Sequence, residues 1–409
     1  MKKAMVLCGG IPQISLIRKL QERKIETILL DMNENVAGRR WADKFYPVSV
    51  LDVDAVRKVA IEEKVDYIFS VCADQVLQVA AQLSEELGLP FYIDSATAQK
   101  VSDKSLMKKI FTENDIPTSQ YVVAKSISED TVNGMRYPLI VKPVDSYSSR
   151  GVRRVENYRE LKEAFEGAVS ISRTKQVIIE EFVSGVELSV DVYVENGKAH
   201  VLCVSSLDKI PGVDRFVINR CFFPAQISEK ETALVEETAQ KIADAFGLKN
   251  SPMLIQMITT GESVSVLEFC ARTGGGNKFH LIKKATGFDV IRAVMELVLG
   301  EKPHVEEKKN ETQFILDEFL YCRPGVLDHL EGFEELLQKN VVSGYYWLKN
   351  SGTALKEPSC SGDRVAYYTI QADNLATLKE KYALANRMVK AIGTDGEDLI
   401  RHDLVNAFS

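Results

Sequence analysis

The residues best placed to do chemistry lie between positions 254 and 276. Two apolar, strand-like runs flank Thr259-Thr260-Gly261-Glu262-Ser263, which predicts a hairpin. With the turn centred on 261–263, Gln256 lies across the ladder from Glu268, and directly opposed side chains of an antiparallel pair share a face. Two oxygen-bearing side chains then project together from otherwise apolar strands. Arg272 follows the second strand, ahead of Thr273 and the three glycines at 274–276, which can bend the chain sharply. The pattern suits either a half-exposed hairpin with ordinary polar residues or a site for a metal ion and an oxyanion.

A second group of residues bears on that choice. Lys142 stands inside the apolar run Leu139-Ile140-Val141, where an ammonium needs a counter-charge or a route to solvent. The loop 145–151 that follows offers serine hydroxyls, free backbone N–H groups and glycine, a combination that suits polyphosphate oxygens. Lys104 adds a cation at the start of a helix capped by Ser102 or Asp103. Glu180-Glu181-Phe182-Val183 ends a strand, and Glu187 begins the next; such a segment could hold an adenine edge through its backbone and a ribose through Glu187. Neither a Walker nor a kinase motif is present.

These residues need a large scaffold. A chain of 409 residues, 45% hydrophobic and 27% charged, implies several globular modules. The net charge of −7 and the lack of long like-charged blocks argue against a nucleic-acid partner. No apolar run approaches the length of a membrane span, and the short N-terminal apolar run is broken by Gly9-Gly10-Ile11-Pro12, unlike a signal peptide. Seven scattered cysteines with no Cys-x-x-Cys pair predict reduced thiols in a cytoplasmic enzyme.

Strands and helices alternate over 2–95, the rhythm of a parallel, doubly wound sheet, with 88–92 read as a further strand. Gly9-Gly10 follows the first strand, but the dinucleotide fingerprint is absent. Residues 121–183 read as a small α+β unit, 188–194 and 200–206 as a strand pair, 306–311 as a linker, and 375–392 as the last long helix.

Taken together, Ser102-Asp103-Lys104, Val141-Lys142-Pro143 with Ser149-Arg150-Gly151-Val152, Glu180 to Val183 with Glu187, and Leu267-Glu268 with Arg272 resemble the ATP-grasp superfamily in order and spacing. The resemblance covers residues 1 to about 305. It implies an α/β protein with an N-terminal Rossmann-like domain (1–95), a connecting helix (96–117), a lid (118–183), a central subdomain (184–305) and a β-rich C-terminal α+β domain (306–409). It implies that ATP lies between lid and centre, with Lys104 and Lys142 on the phosphates and Ser149 and Gly151 closing over them. Glu180 and Glu181 would belong to the ATP site, Glu181 and Val183 meeting adenine through the backbone and Glu187 the ribose. Glu268 and Gln256 would hold Mg2+ (or Mn2+), and Arg272 would stabilise the transferred phosphoryl group.

The chain departs from the family pattern at two positions. Most relatives carry an acid where Gln256 stands, and many carry Asn where Cys270 stands. A glutamine carbonyl can ligate magnesium but brings no negative charge, so Glu268 should be the dominant ligand. Cys270 reads as a packed thiol.

The function that follows is an ATP-dependent carboxylate–amine ligase working through an acyl phosphate, with small-molecule carboxylate and amine substrates, an amino acid among them. Gly275, Asn277 and Lys278 would lie beside the acyl phosphate and the substrate carboxylate. The C-terminal domain could support a homodimer. The alternatives are a bicarbonate-using carboxylase or carbamoyl-phosphate-type enzyme, and a degenerate, non-catalytic nucleotide-binding protein.

Overall fold

Apolar strands separated by amphipathic helices can bury both faces of a parallel sheet, and the N-terminal part does so. The computed structural model describes residues 1–146, 149–210, 216–306 and 313–404. Here β1 (Lys3–Leu7), α1 (Ile11–Glu22), β2 (Glu26–Leu30), β3 (Lys44–Tyr46), α2 (Val53–Glu63), β4 (Tyr67–Ser70) and α3 (Asp74–Glu86) build a four-stranded parallel sheet ordered β3-β2-β1-β4. Met5, Leu7 and Ile28 pack with Val56, Val76 and Leu83 on one face, and Ala4, Val6 and Leu29 with Leu16, Ile17 and Leu20 on the other.

The strand expected at 88–92 does not form. Phe91 and Tyr92 instead stack on each other at 4.8 Å, and the Tyr92 hydroxyl donates to the Ala271 carbonyl at 3.0 Å. Burying those rings against the centre of the molecule wins over a fifth place in the sheet. The single connecting helix expected over 96–117 is two, α4 (Ser95–Ser102) and α5 (Lys104–Glu113), broken at Asp103. Asp103 caps α5, its carboxylate accepting from the N–H groups of Ser105 and Leu106.

The segment expected to be the lid, and called so below, comprises β5 (Tyr121–Ala124), β6 (Leu139–Pro143), β7 (Arg153–Val155), α6 (Tyr158–Ile171) and β8 (Val177–Glu181), an antiparallel sheet ordered β5-β8-β6-β7 with α6 on one face. The centre comprises β9 (Val186–Glu195), β10 (Lys198–Lys209), β11 (Ile218–Phe223), α7 (Glu229–Ala245), β12 (Ser251–Thr259), β13 (Val264–Cys270), α8 (Lys278–Thr286) and α9 (Val290–Val298). The C-terminal part adds β14 (Phe314–Leu320), β15 (Gly325–Glu331), α10 (Phe333–Gln338), β16 (Gly344–Trp347), β17 (Ala354–Leu355), β18 (Ala366–Ala372), α11 (Leu375–Met388) and β19 (Lys390–Gly393).

One sheet runs through both of these parts. Its eight strands follow the order β13-β12-β9-β10-β11-β14-β18-β16, so the boundary expected at 306 is crossed by β11 pairing with β14. Of the linker read at 306–311, residues 307–311 lie outside the described residues. The last helix ends at Met388, not 392; β-branched Val389 turns extended, and Lys390–Gly393 pairs with β15. No helix among the described residues is long and apolar enough to cross a membrane. All seven cysteines are free thiols.

Gly185 joins lid to centre. A Cβ there would stand 2.1 Å from the Thr259 carbonyl oxygen, a backbone atom that cannot swing aside. Gly185→Ala is therefore expected to destabilise the protein by about 1–3 kcal/mol. Gly167→Ala, inside α6 with nothing within 4 Å of the new methyl, should instead gain about 0.5–1 kcal/mol. Urea unfolding of both variants checks the contrast.

Candidate active site

Side chains alternate along a strand, so β9 sends Leu188, Val190, Val192 and Val194 into the core with α7 and leaves Glu187, Ser189 and Asp191 on the opposite face. Gln256 pairs with Ser189, and Glu268 with Gln256. The last pairing depends on an irregularity: Met257 faces Val266 but Gln256 faces Glu268, so Leu267 is the extra residue of a bulge. Without it the strand would offer Leu267 to Gln256. Cys270 is buried, and burial pushes its thiol well above the usual range.

A buried charge cluster ties this face to the lid. Glu180, on β8, is 3% exposed and takes Lys142 of β6 on one carboxylate oxygen. The other oxygen meets Lys108 of α5 at 2.9 Å and accepts from the Ser119 hydroxyl at 3.0 Å. Lys108, 1% exposed, also donates to Thr118 Oγ1 at 2.5 Å and to the Val266 carbonyl of β13 at 3.4 Å. Burial works against ionising Glu180, yet Lys108 and Lys142 outweigh it and hold the carboxyl far below its usual range. Burial likewise pulls Lys108 down against Glu180. Two ammonium groups thus share one carboxylate, leaving one positive charge in excess when all three are ionised.

One helical turn before Lys108, Lys104 ion-pairs with Glu268 at 2.8 Å and donates to the Ser146 carbonyl at 2.8 Å. Burial disfavours the Glu268 carboxylate, but Lys104, with Lys142 beyond it, keeps it below its usual range. No cluster of three or more His, Cys, Asp or Glu side chains suited to a metal occurs among the described residues. The ionised Glu268 and the Gln256 amide do put two oxygen-bearing groups opposite each other, which fits a hard cation completed by phosphate and water oxygens.

At the lid edge, Arg136 binds the Glu181 carboxylate at 2.9 Å, and Glu181 N–H donates to the Gln120 carbonyl. Glu187 ion-pairs with Lys209 and lies 3.5 Å from Gln256 Nε2. Ser149 and Gly151 both adopt positive φ, 60° and 78°, in the loop under β6; Tyr147 and Ser148 of that loop lie outside the described residues.

Beyond β13 the chain turns back beneath the N-terminal domain. Arg272 donates through Nε to Asp74 Oδ1 at 2.7 Å, with Nη2 at 2.6 Å from the same oxygen. Burial opposes the Asp74 charge, but Arg272 holds its carboxyl down at about 2. Lys278, buried at the start of α8, lies 3.3 Å from Asp191 Oδ2 and donates to Ser205 Oγ at 3.2 Å. Asn277 Nδ2 donates to Asp317 at 3.2 Å and to Thr369 at 2.9 Å. A Cβ on Gly275 would approach only the Cys72 carbonyl, at 4.0 Å. The sequence reading missed Lys108, Asp74, Asp191 and Asp317. Only Lys108 carried a signal: its i,i+4 spacing from Lys104 puts both lysines on one helix face.

Removing Glu180 leaves two buried ammonium groups facing each other. Glu180→Ala should cost about 3–5 kcal/mol in urea unfolding. Arg136→Ala, which breaks an exposed pair, should leave the urea midpoint close to that of the wild type. Equal effects would mean that the buried cluster is not the stronger constraint.

Comparison with known proteins follows the same geometry. Residues 135–280 match the family model of the ATP-grasp domain. The chain is 22% identical over 313 residues to mitochondrial carbamoyl-phosphate synthase [ammonia] of Mus musculus, covering 73% of this chain and 20% of that protein. It therefore spans about a fifth of that relative's length. The structure of an L-amino acid ligase from Bacillus licheniformis superposes with a TM-score of 0.83 at 18% identity, over 96% of this chain and 99% of that one. Phosphoribosylglycinamide synthetase from Anaerococcus prevotii gives 0.76 at 18% identity, over 96% and 100%. Lys142 and the Glu268 hairpin lie within the segment 135–280 that matches the ATP-grasp domain, and the chain as a whole shares the fold of these two structures.

Proposed function

We propose that the protein is an ATP-dependent carboxylate–amine ligase that makes an amide or peptide bond through an acyl phosphate, with an amino acid as a substrate. The observation that carries this reading is the pair of buried lysines, Lys108 and Lys142, that share the single carboxylate of Glu180 beside the Lys104–Glu268 pair, a set that carries one positive charge in excess when all are ionised. A triphosphate supplies the missing negative charge. On this reading 1–95, 118–183, 184–305 and 306–409 are the Rossmann-like, lid, central and C-terminal units, joined through α4 and α5 at 96–117. A homodimer in the cytoplasm belongs to the same reading.

ATP sits between lid and centre, its phosphates on Lys104 and Lys142 under the loop of Ser149 and Gly151. Val183, which makes no backbone hydrogen bond among the described residues, offers its N–H and C=O to adenine beside Glu181, and Glu187 takes the ribose. Glu268 and, more weakly, Gln256 hold magnesium, whose contribution when bound is to neutralise phosphate oxygens. A substrate carboxylate oxygen attacks the γ-phosphorus, the bond to the departing ADP breaks, and Arg272 stabilises the charge on the transferred group. The amine then attacks the acyl carbon and loses its proton as the bond to phosphate breaks. Positioning and charge neutralisation do most of the work in such transfers.

The L-amino acid ligase neighbour, which aligns over nearly the whole of both chains, supports the amine-ligase reading. The carbamoyl-phosphate synthase relative, matched over a fifth of its length, and the similar fold of a biotin carboxylase domain from Hydrogenobacter thermophilus solved with bicarbonate support a bicarbonate-using carboxylase or carbamoyl-phosphate-type enzyme as the second reading.

A magnesium-dependent ADP-release assay separates them. Release stimulated by a pair of amino acids is expected. Stimulation by bicarbonate alone supports the second reading, and ATP binding without turnover supports a non-catalytic protein. Glu268→Ala should lower turnover by about 100-fold or more, and unchanged activity would remove Glu268 from the site. Gln256→Glu adds a charged ligand and should lower the half-saturating magnesium concentration several-fold.

A further inference from the structure

The polar face does not end at the glycine turn. Between α8 and the β14–β18–β16 end of the sheet lies a cavity of about 40 Å³, with Asn277 on its wall. A single water needs only about 10–15 Å³ by the same measure, so a group of a few heavy atoms fits. Asn277 is 6% exposed, and its Nδ2 is committed to Asp317 and Thr369. Its carbonyl oxygen is left buried without a partner among the described residues. Gln371 lines the same cavity, and its Nε2 is also buried without a partner among the described residues. Buried polar atoms are rarely left unmatched in a folded protein. An unmatched acceptor at the start of α8 and an unmatched amide on β18, both lining one cavity, call for a group that both donates and accepts.

Charge and shape narrow that group. The ionisable groups here offset one another: Lys284 lines the cavity and the Asp317 carboxylate lies directly behind Asn277. Burial, with Lys284 and Lys283 nearby, pulls His280 below its ordinary value, so the ring adds no charge at neutral pH. An ammonium would face Lys284 and leave the Gln371 donor unmatched. A carboxylate would meet the Asn277 carbonyl with Asp317 behind it. The rings of His280 and Tyr346, both on the cavity wall, are 25° from parallel with centroids 6.5 Å apart, an arrangement that favours a flat group.

We propose that this cavity is a substrate subsite for a carboxamide-type group, whose N–H donates to Asn277 Oδ1 and whose C=O accepts from the Gln371 side-chain amide. It rests on the ligase reading in one respect: the molecule bearing the carboxamide is the amino-acid substrate, held with its reacting end near Arg272. The side chains of glutamine and asparagine and the ureido group of citrulline share this donor–acceptor pattern. The subsite is a specificity device that leaves the phosphoryl chemistry alone.

The test is calorimetric titration of the full chain, with a non-hydrolysable ATP analogue present, by L-glutamine, L-asparagine, L-citrulline, L-glutamate, L-lysine and L-norleucine. At least one carboxamide-type ligand should bind ten-fold or more tighter than the last three. The best of the three identifies the carrier. Gln371→Leu should abolish the preference while leaving the half-saturating ATP concentration unchanged. Binding of L-norleucine or L-glutamate as tight as that of every carboxamide ligand overturns the proposal, a result that needs no variant. ADP release, run in parallel, keeps the two readings apart. Selective binding without amide formation would sink the ligase reading alone, and amide formation without carboxamide selectivity would sink the subsite alone.

Discussion

The carboxylate of Glu180, shared between Lys108 and Lys142, is the interaction on which the arrangement depends. Each of its partners belongs to a different segment: Lys142 to the lid sheet, Lys108 to α5, and Ser119 to the irregular stretch between α5 and β5. Lys108 carries the connection on to β13 through the Val266 carbonyl. A carboxylate buried this deeply would cost several kcal/mol if unpaired. The lid is therefore fixed to the centre at the point where a phosphate chain would arrive. At an effective dielectric of 20, unit charges 4 Å apart interact by about 4 kcal/mol. An uncompensated ammonium there is a strong and directional attraction for an anion.

The rest of the site follows from one sheet. Alternation along β9 separates the apolar face, packed on α7, from the face that carries Glu187, Ser189 and Asp191. The bulge at Leu267 puts Glu268 on that second face, opposite Gln256. The sheet continues through β11 into β14, so Asp317 and Thr369 join the same polar surface from the C-terminal part. What reads along the chain as two units is one continuous floor. The glycine turn lies over its middle, anchored by Arg272 to Asp74 and by Lys278 to Asp191.

Much of this was legible in the sequence where the signal was local. The Thr-Thr-Gly-Glu-Ser turn placed Gln256 against Glu268, although the structure reaches that pairing through a bulge that no turn residue announces. Asp103 was one of two candidate caps, and the lysine inside an apolar strand demanded a counter-charge that proved to be Glu180. Non-local partners were not legible. A lysine at position 108 of an amphipathic helix reads as solvated until the lid supplies Glu180. Asp74 looks like a helix-start acid until the turn after β13 brings Arg272 to it. The pairing of β11 with β14 joins segments far apart in sequence, with position 306 between them. At 88–92 and 389–392, tertiary packing of Phe91 and Tyr92 and pairing of β19 with β15 overrode the local pattern.

The central claim is that a buried, net-positive cluster receives a polyphosphate. Calorimetric titration of the wild-type protein and of Lys108→Met with Mg-ATP, Mg-ADP, AMP and adenosine tests it most directly. Affinity should fall steeply as phosphates are removed. Lys108→Met, which touches no phosphate but removes the excess charge, should weaken Mg-ATP about ten-fold or more, the equivalent of about 1.4 kcal/mol, while leaving adenosine unchanged. Equal affinities across the series, or a Lys108→Met protein that binds Mg-ATP as tightly as the wild type, would contradict the account.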